Sequence, residues 1–204
     1  ATYYMMLNNK REVNEKEDSM KGSYLGPKYR AKEIKSCLEN IGAVFHENNI
    51  DQIINITAEE ISKQKIIGWM QGKMEFGPRA LGGRSILADP RSETMQKELN
   101  LKIKFRESFR PFAPSVLRED VNEWFELNCD SPYMLLVAEV KKSKQNGMTD
   151  QEKNLFGIEK LNIKRSIIPA ITHVDYSARV QTVNRETNPK YYDLINEFKK
   201  ITNC

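Results

Sequence analysis

No stretch of about 18 consecutive apolar residues occurs in this 204-residue chain, so a membrane-spanning helix is not expected. Nor is there a secretory leader: the N-terminus reads Ala1-Thr2-Tyr3-Tyr4 and soon turns densely charged. The first residue is not Met, which leads us to expect an excised or processed piece of a longer chain. Cysteine is sparse. Cys37, Cys129 and Cys204 form no C-x-x-C pair, which argues against a disulfide framework and suits a cytoplasmic location. Histidine is rarer still, and His46 and His173 lie far apart in sequence, so a zinc site built on them is not expected. Neither a Walker A loop nor a G-x-G-x-x-G fingerprint is present. Apolar residues make up 39%, a low share that one soluble domain can still use, and 29% charged residues imply a well-solvated surface. A net charge of +4 does not by itself call for nucleic acid.

What the chain does have is a concentration of glycine and positive charge. Residues 68–85 hold five glycines, one proline and three cations. Glycine lets a backbone turn sharply and lets a ligand come close. Arginine beside such a turn can grip phosphate or carboxylate with two parallel hydrogen bonds. From Lys73 to Arg110 there are nine Lys/Arg against five Asp/Glu, so this segment alone carries an excess equal to that of the whole chain. Such a local positive field favours an anionic partner, and the combination points to a phosphorylated small molecule.

Residues 1–23 are polar and read as a linker or boundary segment, with the domain proper running over 24–204. Residues 29–41 read as a helix with Ile34, Leu38 and Ile41 on one face and Gly42 as its stop. Thr57-Ala58-Glu59-Glu60 has capping-box spacing and predicts a second helix start. Strands are expected at 65–70, 85–88 and 133–140, and as one alternating run over 179–183. Helices are expected from Ser92 to about Leu101, from Glu119 to Leu127, and from Asn188-Pro189 onward, the last with Tyr191, Leu194, Ile195, Phe198 and Ile201 on one face. Residues 142–166 read as a polar insertion or long loop. The irregular alternation favours an α/β fold with a mixed sheet layered by helices.

Three constellations carry possible chemistry. In Glu75-Phe76-Gly77-Pro78-Arg79-Ala80-Leu81-Gly82, Arg79 leaves a tight turn and is placed to hold phosphate; the plainer reading is a structural turn with Arg79 paired to Glu75. In residues 104–115, Pro111 biases Arg110 toward an extended conformation. A strand or turn there puts Lys104 and Arg106 on one side and Phe105 on the other, two cations over an apolar layer; the plainer reading is a solvated basic face with its aromatics in the core. In residues 172–182, His173 and Asp175 suit a general base and its orienter, and equally an ordinary strand end, while Arg179 is a further phosphate ligand candidate. No cysteine falls in these segments, so a thiolate nucleophile is not expected. Trp69 reads as a core residue rather than a platform for adenine.

Together these segments resemble the carbamoyltransferase family that includes the nodulation, cephamycin and tobramycin O-carbamoyltransferases. The matching text is GWMQGKMEFGPRALGGRSILADPR at 68–91, IKFRESFRPFAPSVL at 103–117, SPYM at 131–134 and ITHVDYSARVQTV at 171–183, with Tyr24-Leu25-Gly26-Pro27 ahead of them. The resemblance implies a YrdC-like twisted mixed sheet flanked by helices, the C-terminal of two domains. It implies that this domain takes carbamoyl phosphate and ATP, with Mg²⁺, and makes carbamoyl adenylate. A separate N-terminal domain of the actin-like ATPase type then carries the carbamoyl group to an acceptor hydroxyl. Arg79, Lys104, Arg106 and Arg110 correspond to a cationic cradle, and Lys104-Phe105-Arg106 to a K-x-R motif. Arg179, Gln181 and Thr182 would complete its wall, with His173 a secondary candidate. Tyr176-Ser177 stands where the family more often has Gly-Thr, and Gly83 where Asn is frequent. The Asn-Thr-Ser-Phe-Asn segment expected next does not follow Cys204. Two other readings are a double-stranded RNA-binding module and a non-catalytic interaction domain. RNA would call for cations spread along a wide surface, whereas here they gather in Gly/Pro-rich motifs, so a nucleic-acid partner is not expected.

Overall fold

The structure is a computed structural model and describes residues 2–10 and 18–204. Its helices are α1 Thr2–Met5, α2 Ala31–Asn40, α3 Ile50–Ser62, α4 Met95–Glu98, α5 Val121–Trp124, α6 Asp150–Lys153, α7 Ile158–Leu161 and α8 Pro189–Thr202. Its strands are β1 Ile67–Met70, β2 Arg84–Leu87, β3 Ser115–Leu117, β4 Val137–Glu139, β5 Ser177–Arg179 and β6 Gln181–Val183. β1 and β2 pair antiparallel, as do β4 and β5, and β3 pairs parallel with β6. This is an α/β fold with mixed pairing, divided into three two-stranded pieces.

The two long inner helices follow from their sequences. α3 buries Ile54, Thr57, Ala58 and Ile61, positions three to four apart that fall on one face, against Tyr191, Leu194 and Phe198 of α8. Burying each large apolar side chain contributes roughly 1.5–3 kcal/mol, so this pair and Trp69 of β1 form one stable half of the core. The other half gathers Met95, Leu99, Val116, Val121, Trp124, Phe125, Val140, Ile168 and Val180. α8 starts as expected, with Pro189 in its first turn and the Asn188 side chain accepting from the Tyr191 N–H.

Several local expectations need correction. α3 opens at Asn49, whose side chain bonds the Gln52 N–H at 2.9 Å while Gln52 returns a bond to the Asn49 N–H. Thr57 therefore lies inside the helix, facing the core. The expected strand over 179–183 divides at fully buried Val180: β5 pairs with β4, Val180 donates to the Leu136 carbonyl, and β6 pairs with β3. The helix near Ser92 starts at α4 and widens into a π-helical stretch over Leu99–Lys104, which ends where Phe105 turns left-handed at φ 48°. The 142–166 segment contains α6 and α7 rather than only loop. Of the expected boundary segment, residues 1 and 11–17 lie outside the described residues. Asp18 is described and caps the turn at Met20–Gly22, and Ser23 is buried.

α2 is well terminated: Gly42 takes φ 67°, and the Gly42 and Ala43 N–H groups return to the Glu39 and Leu38 carbonyls. It buries none of its own residues, so Ile34, Leu38 and Ile41 share a face without reaching the core.

Candidate functional site

The glycine segment is shaped by one carboxylate. Glu75 is 6% exposed, and its Oε1 accepts from the backbone N–H groups of Leu81 (2.7 Å), Gly83 (2.6 Å) and Arg84 (3.2 Å). Burial pushes this carboxyl toward the neutral form, but the backbone N–H groups outweigh it, and its pKa lies below the ordinary value. The carbonyls of the same segment are held from the other side. Leu81 O accepts from the Tyr24 hydroxyl (2.6 Å) and Gln181 Nε2 (2.9 Å), and Gly82 O from Trp69 Nε1 (3.1 Å) and Gln71 Nε2 (2.9 Å). Asn188 links Tyr24 to Gln71. The Arg79–Glu75 ion pair weighed from the sequence does not form. Arg79 is exposed, and no described residue pairs with it.

The second motif hangs on Asn100, which is fully buried. Its side-chain amide donates to the Ser108 and Arg110 carbonyls, its Oδ1 accepts from Arg106 Nε at 2.6 Å, and its own carbonyl accepts the Arg106 N–H. The Arg106 guanidinium then lies 5.0 Å from the centre of the Phe112 ring. The apolar layer beneath the cations is thus Phe112 and not Phe105, which is 84% exposed. Phe105 points outward because the left-handed turn after the π-helical stretch replaces the expected strand alternation.

A cavity of about 470 Å³ brings Arg79, Lys104, Arg106 and Gln181 together, along with Pro78, Ala80, Ser85, Ser115 and Tyr191. That volume lies within the range of small-molecule sites. Arg110, Arg179, Thr182 and His173 are not in its lining. Arg110 pairs with Glu107 at 3.2 Å. Arg179 is exposed on β5 opposite Val137. Thr182 is buried and its Oγ1 accepts the Ser131 N–H. His173 Nδ1 sits 3.2 Å from Asp175 Oδ1, which also takes both the N–H and the hydroxyl of Ser177. This is the strand-end arrangement, a turn closed by the His173 N–H on the Ser177 carbonyl. Tyr176 within it adopts φ 65°, the region glycine favours, so the turn keeps a glycine-like backbone despite the larger residue.

Sequence reasoning missed the residues that hold the cavity from behind. Tyr191 donates to Ser115 Oγ, and Ser115 donates to Gln181 Oε1, so Gln181 is fixed with its amide on Leu81. Asp89 and Asp120 also line the cavity, but Asp89 holds Arg91 and Asp120 holds Lys199. Among the described residues no group of three or more His, Cys, Asp or Glu is gathered to hold a metal, and no helix is long and apolar enough to cross a membrane.

The α/β fold carries a cavity whose lining includes Arg79, Lys104 and Arg106, and sequence comparison places the chain. The profile of the family described as Carbamoyltransferase C-terminus matches residues 58–204. An uncharacterized protein of Synechocystis sp. is 52% identical over 206 residues, covering all of this chain and 33% of that protein. Nodulation protein NolO of Bradyrhizobium diazoefficiens is 46% identical over 155 residues, 74% of this chain and 25% of its own length. A 3'-hydroxymethylcephem-O-carbamoyltransferase of Amycolatopsis lactamdurans is 37% identical over 134 residues, 66% of this chain and 21% of its own length. The chain therefore belongs to the carbamoyltransferase family, as its C-terminal part, and spans a third or less of the length of each of these relatives.

Proposed function

We propose that this cavity binds carbamoyl phosphate and ATP and forms carbamoyl adenylate, for transfer to an acceptor hydroxyl by a separate domain of the actin-like ATPase type. The observation that carries the reading is the convergence of Arg79, Lys104 and Arg106 on one cavity from two segments of sequence. Two polyanions repel one another, and cations gathered at one cavity offset that repulsion. Membership of the carbamoyltransferase family supplies the group being transferred. The atoms balance if water first releases inorganic phosphate from carbamoyl phosphate. A carbamate oxygen then attacks the α-phosphorus of ATP, and the bond to pyrophosphate breaks.

The chain's own contribution is positioning. Arg79 and Lys104 neutralise phosphate oxygens, Arg106 is aimed by Asn100 and Phe112, and Gln181 ties the glycine segment to the cavity wall. The lining offers Mg²⁺ no uncommitted carboxylate, since Asp89 and Asp120 are ion-paired; the metal does not fit as a resident ion, and no step is assigned to it. Arg110 and Arg179 would join only through a change in loop position.

The test is ATP–pyrophosphate exchange dependent on carbamoyl phosphate, measured in the full-length protein. Arg79→Ala and Lys104→Ala are expected to abolish it, whereas Arg110→Ala and Arg179→Ala change it by less than about threefold, under 1 kcal/mol. Unchanged exchange in both of the first two variants would sink the assignment. Calorimetry with a short RNA duplex is the companion measurement, and tight, salt-sensitive binding of the duplex without nucleotide binding would favour an RNA module instead.

A further inference from the structure

We propose that Glu75 is a positioning residue for anion binding: its buried carboxylate fixes the 76–80 turn so that Arg79 stays unpaired and faces the cavity. This rests on the reading of that cavity as an anion site.

Glu75 is the obvious internal partner for Arg79, four residues on, yet the structure spends its carboxylate on the backbone. Oε1 takes the N–H groups of Leu81, Gly83 and Arg84, all turned inward. The carbonyls between these amides are fixed as well, since Leu81 O and Gly82 O each accept two side-chain donors. On its other side the turn is pinned at Phe76, whose N–H donates to the Ser23 carbonyl at 2.7 Å and whose carbonyl accepts from Ser23 Oγ at 3.0 Å. Between these anchors no described residue accepts from the N–H groups of Gly77, Arg79 or Ala80. The segment thus has two sets of amides. The inner set is saturated by an internal anion, and the outer set, with the Arg79 guanidinium, remains for an external one.

A carboxylate close to a phosphate site is electrostatically unfavourable, so its charge is not what helps an anion bind. Its use is geometric. Turning Oε1 toward the Arg79 side chain would strand the buried N–H groups of Leu81 and Gly83 and the part-buried one of Arg84.

Inorganic phosphate, titrated calorimetrically into the 204-residue chain, tests this through a double-mutant cycle. Arg79→Ala and Glu75→Ala are each expected to weaken phosphate binding about tenfold, and the double variant no more than about tenfold, because each loss removes the same interaction. A double variant weakened about a hundredfold, the additive result, overturns the proposal. A purely structural role would lower the melting temperature without producing this coupling. If Glu75→Ala does not fold, amide NMR of the unsubstituted chain decides: phosphate should shift the Gly77, Arg79 and Ala80 amides and leave Leu81, Gly83 and Arg84 unmoved. Movement of the inner set instead would show that Glu75 yields its place to the ligand. Phosphate coupling without carbamoyl-phosphate-dependent exchange would overturn the proposed reaction while leaving the role of Glu75 standing.

Discussion

The ring of Tyr191 occupies the space that a side chain on residue 82 would need. A Cβ built on Gly82 would lie 2.3 Å from Tyr191 Cδ1, and Gly82 holds φ 100°. Both the close approach and the backbone conformation require glycine there. Gly82→Ala is therefore expected to cost about 2–5 kcal/mol, combining overpacking with backbone strain. The control is Gly68→Ala on β1, where a Cβ meets nothing within 4 Å and stability should change by less than about 0.5 kcal/mol. Denaturant midpoints of the two variants check the contrast. Equal stability would mean that Tyr191 can move aside freely.

Asn100 governs the other half of the cavity. Its side chain makes two donor bonds to the loop carbonyls of Ser108 and Arg110 and accepts one from Arg106. Replacing it by Ala removes all three part-buried bonds and the fully buried side chain that makes them, which should cost about 1–3 kcal/mol. If the cavity is the anion site, Asn100→Ala should also weaken phosphate binding, because Arg106 loses the contact that orients it. A drop in melting temperature with unchanged phosphate affinity would show that Arg106 is aimed by Phe112 alone.

Much of the frame was legible in the sequence. α2 and α8 carry a strong 3.6-residue apolar period and conventional end signals, Gly42 and Asn188-Pro189, so their extents follow from local physics. The failures have a common cause. Thr57 has the spacing of a cap, but the apolar face of α3 begins at Ile50 and Asn49 offers a cap there, so packing against α8 overrides the later signal. Val180 interrupts a run that alternates as one strand, because the two flanking segments have different partners and nothing in residues 177–183 announces that. The candidate site divides in the same way. Arg79, Lys104, Arg106 and Gln181 stand in motifs dense enough to be noticed. Tyr24 and Tyr191 act through bonds to distant partners, as Tyr24 does with Leu81, 57 residues away, and such pairings leave no local mark; Glu75 and Asn100 bond partners six to ten residues on, through irregular turns that no periodicity signals.

Acidification should reveal Glu75 directly. Its folded pKa lies below the ordinary value of 4.5, so the bonds it holds stabilise the fold fully above that value and are lost as pH falls through the folded pKa. The neighbouring phenols cannot contribute in that window, since Tyr24 and Tyr191 are pushed up to about 12, chiefly by burial, and stay neutral. The amides of Leu81, Gly83 and Arg84 should therefore shift together in an NMR titration, with one midpoint below 4.5. In Glu75→Gln, whose carbonyl oxygen can still accept but cannot titrate, the shared shift should vanish. Three separate midpoints in the unsubstituted chain would show that no single carboxylate holds the segment.

The three cysteines should differ sharply in reactivity. Cys37 and Cys129 are exposed, whereas Cys204 is partly buried and packs against both core clusters. Burial pushes its thiol up to about 12, and the nearby Arg91 guanidinium only partly opposes this. The thiolate is the reactive form, so at pH 8 a thiol reagent should label Cys37 and Cys129 rapidly and Cys204 only after unfolding. Mass spectrometry of the labelled chain counts the modified sites, and prompt labelling of Cys204 in the folded protein would contradict its placement. Because Cys37 and Cys129 lie outside the cavity lining, modifying them should leave phosphate binding intact.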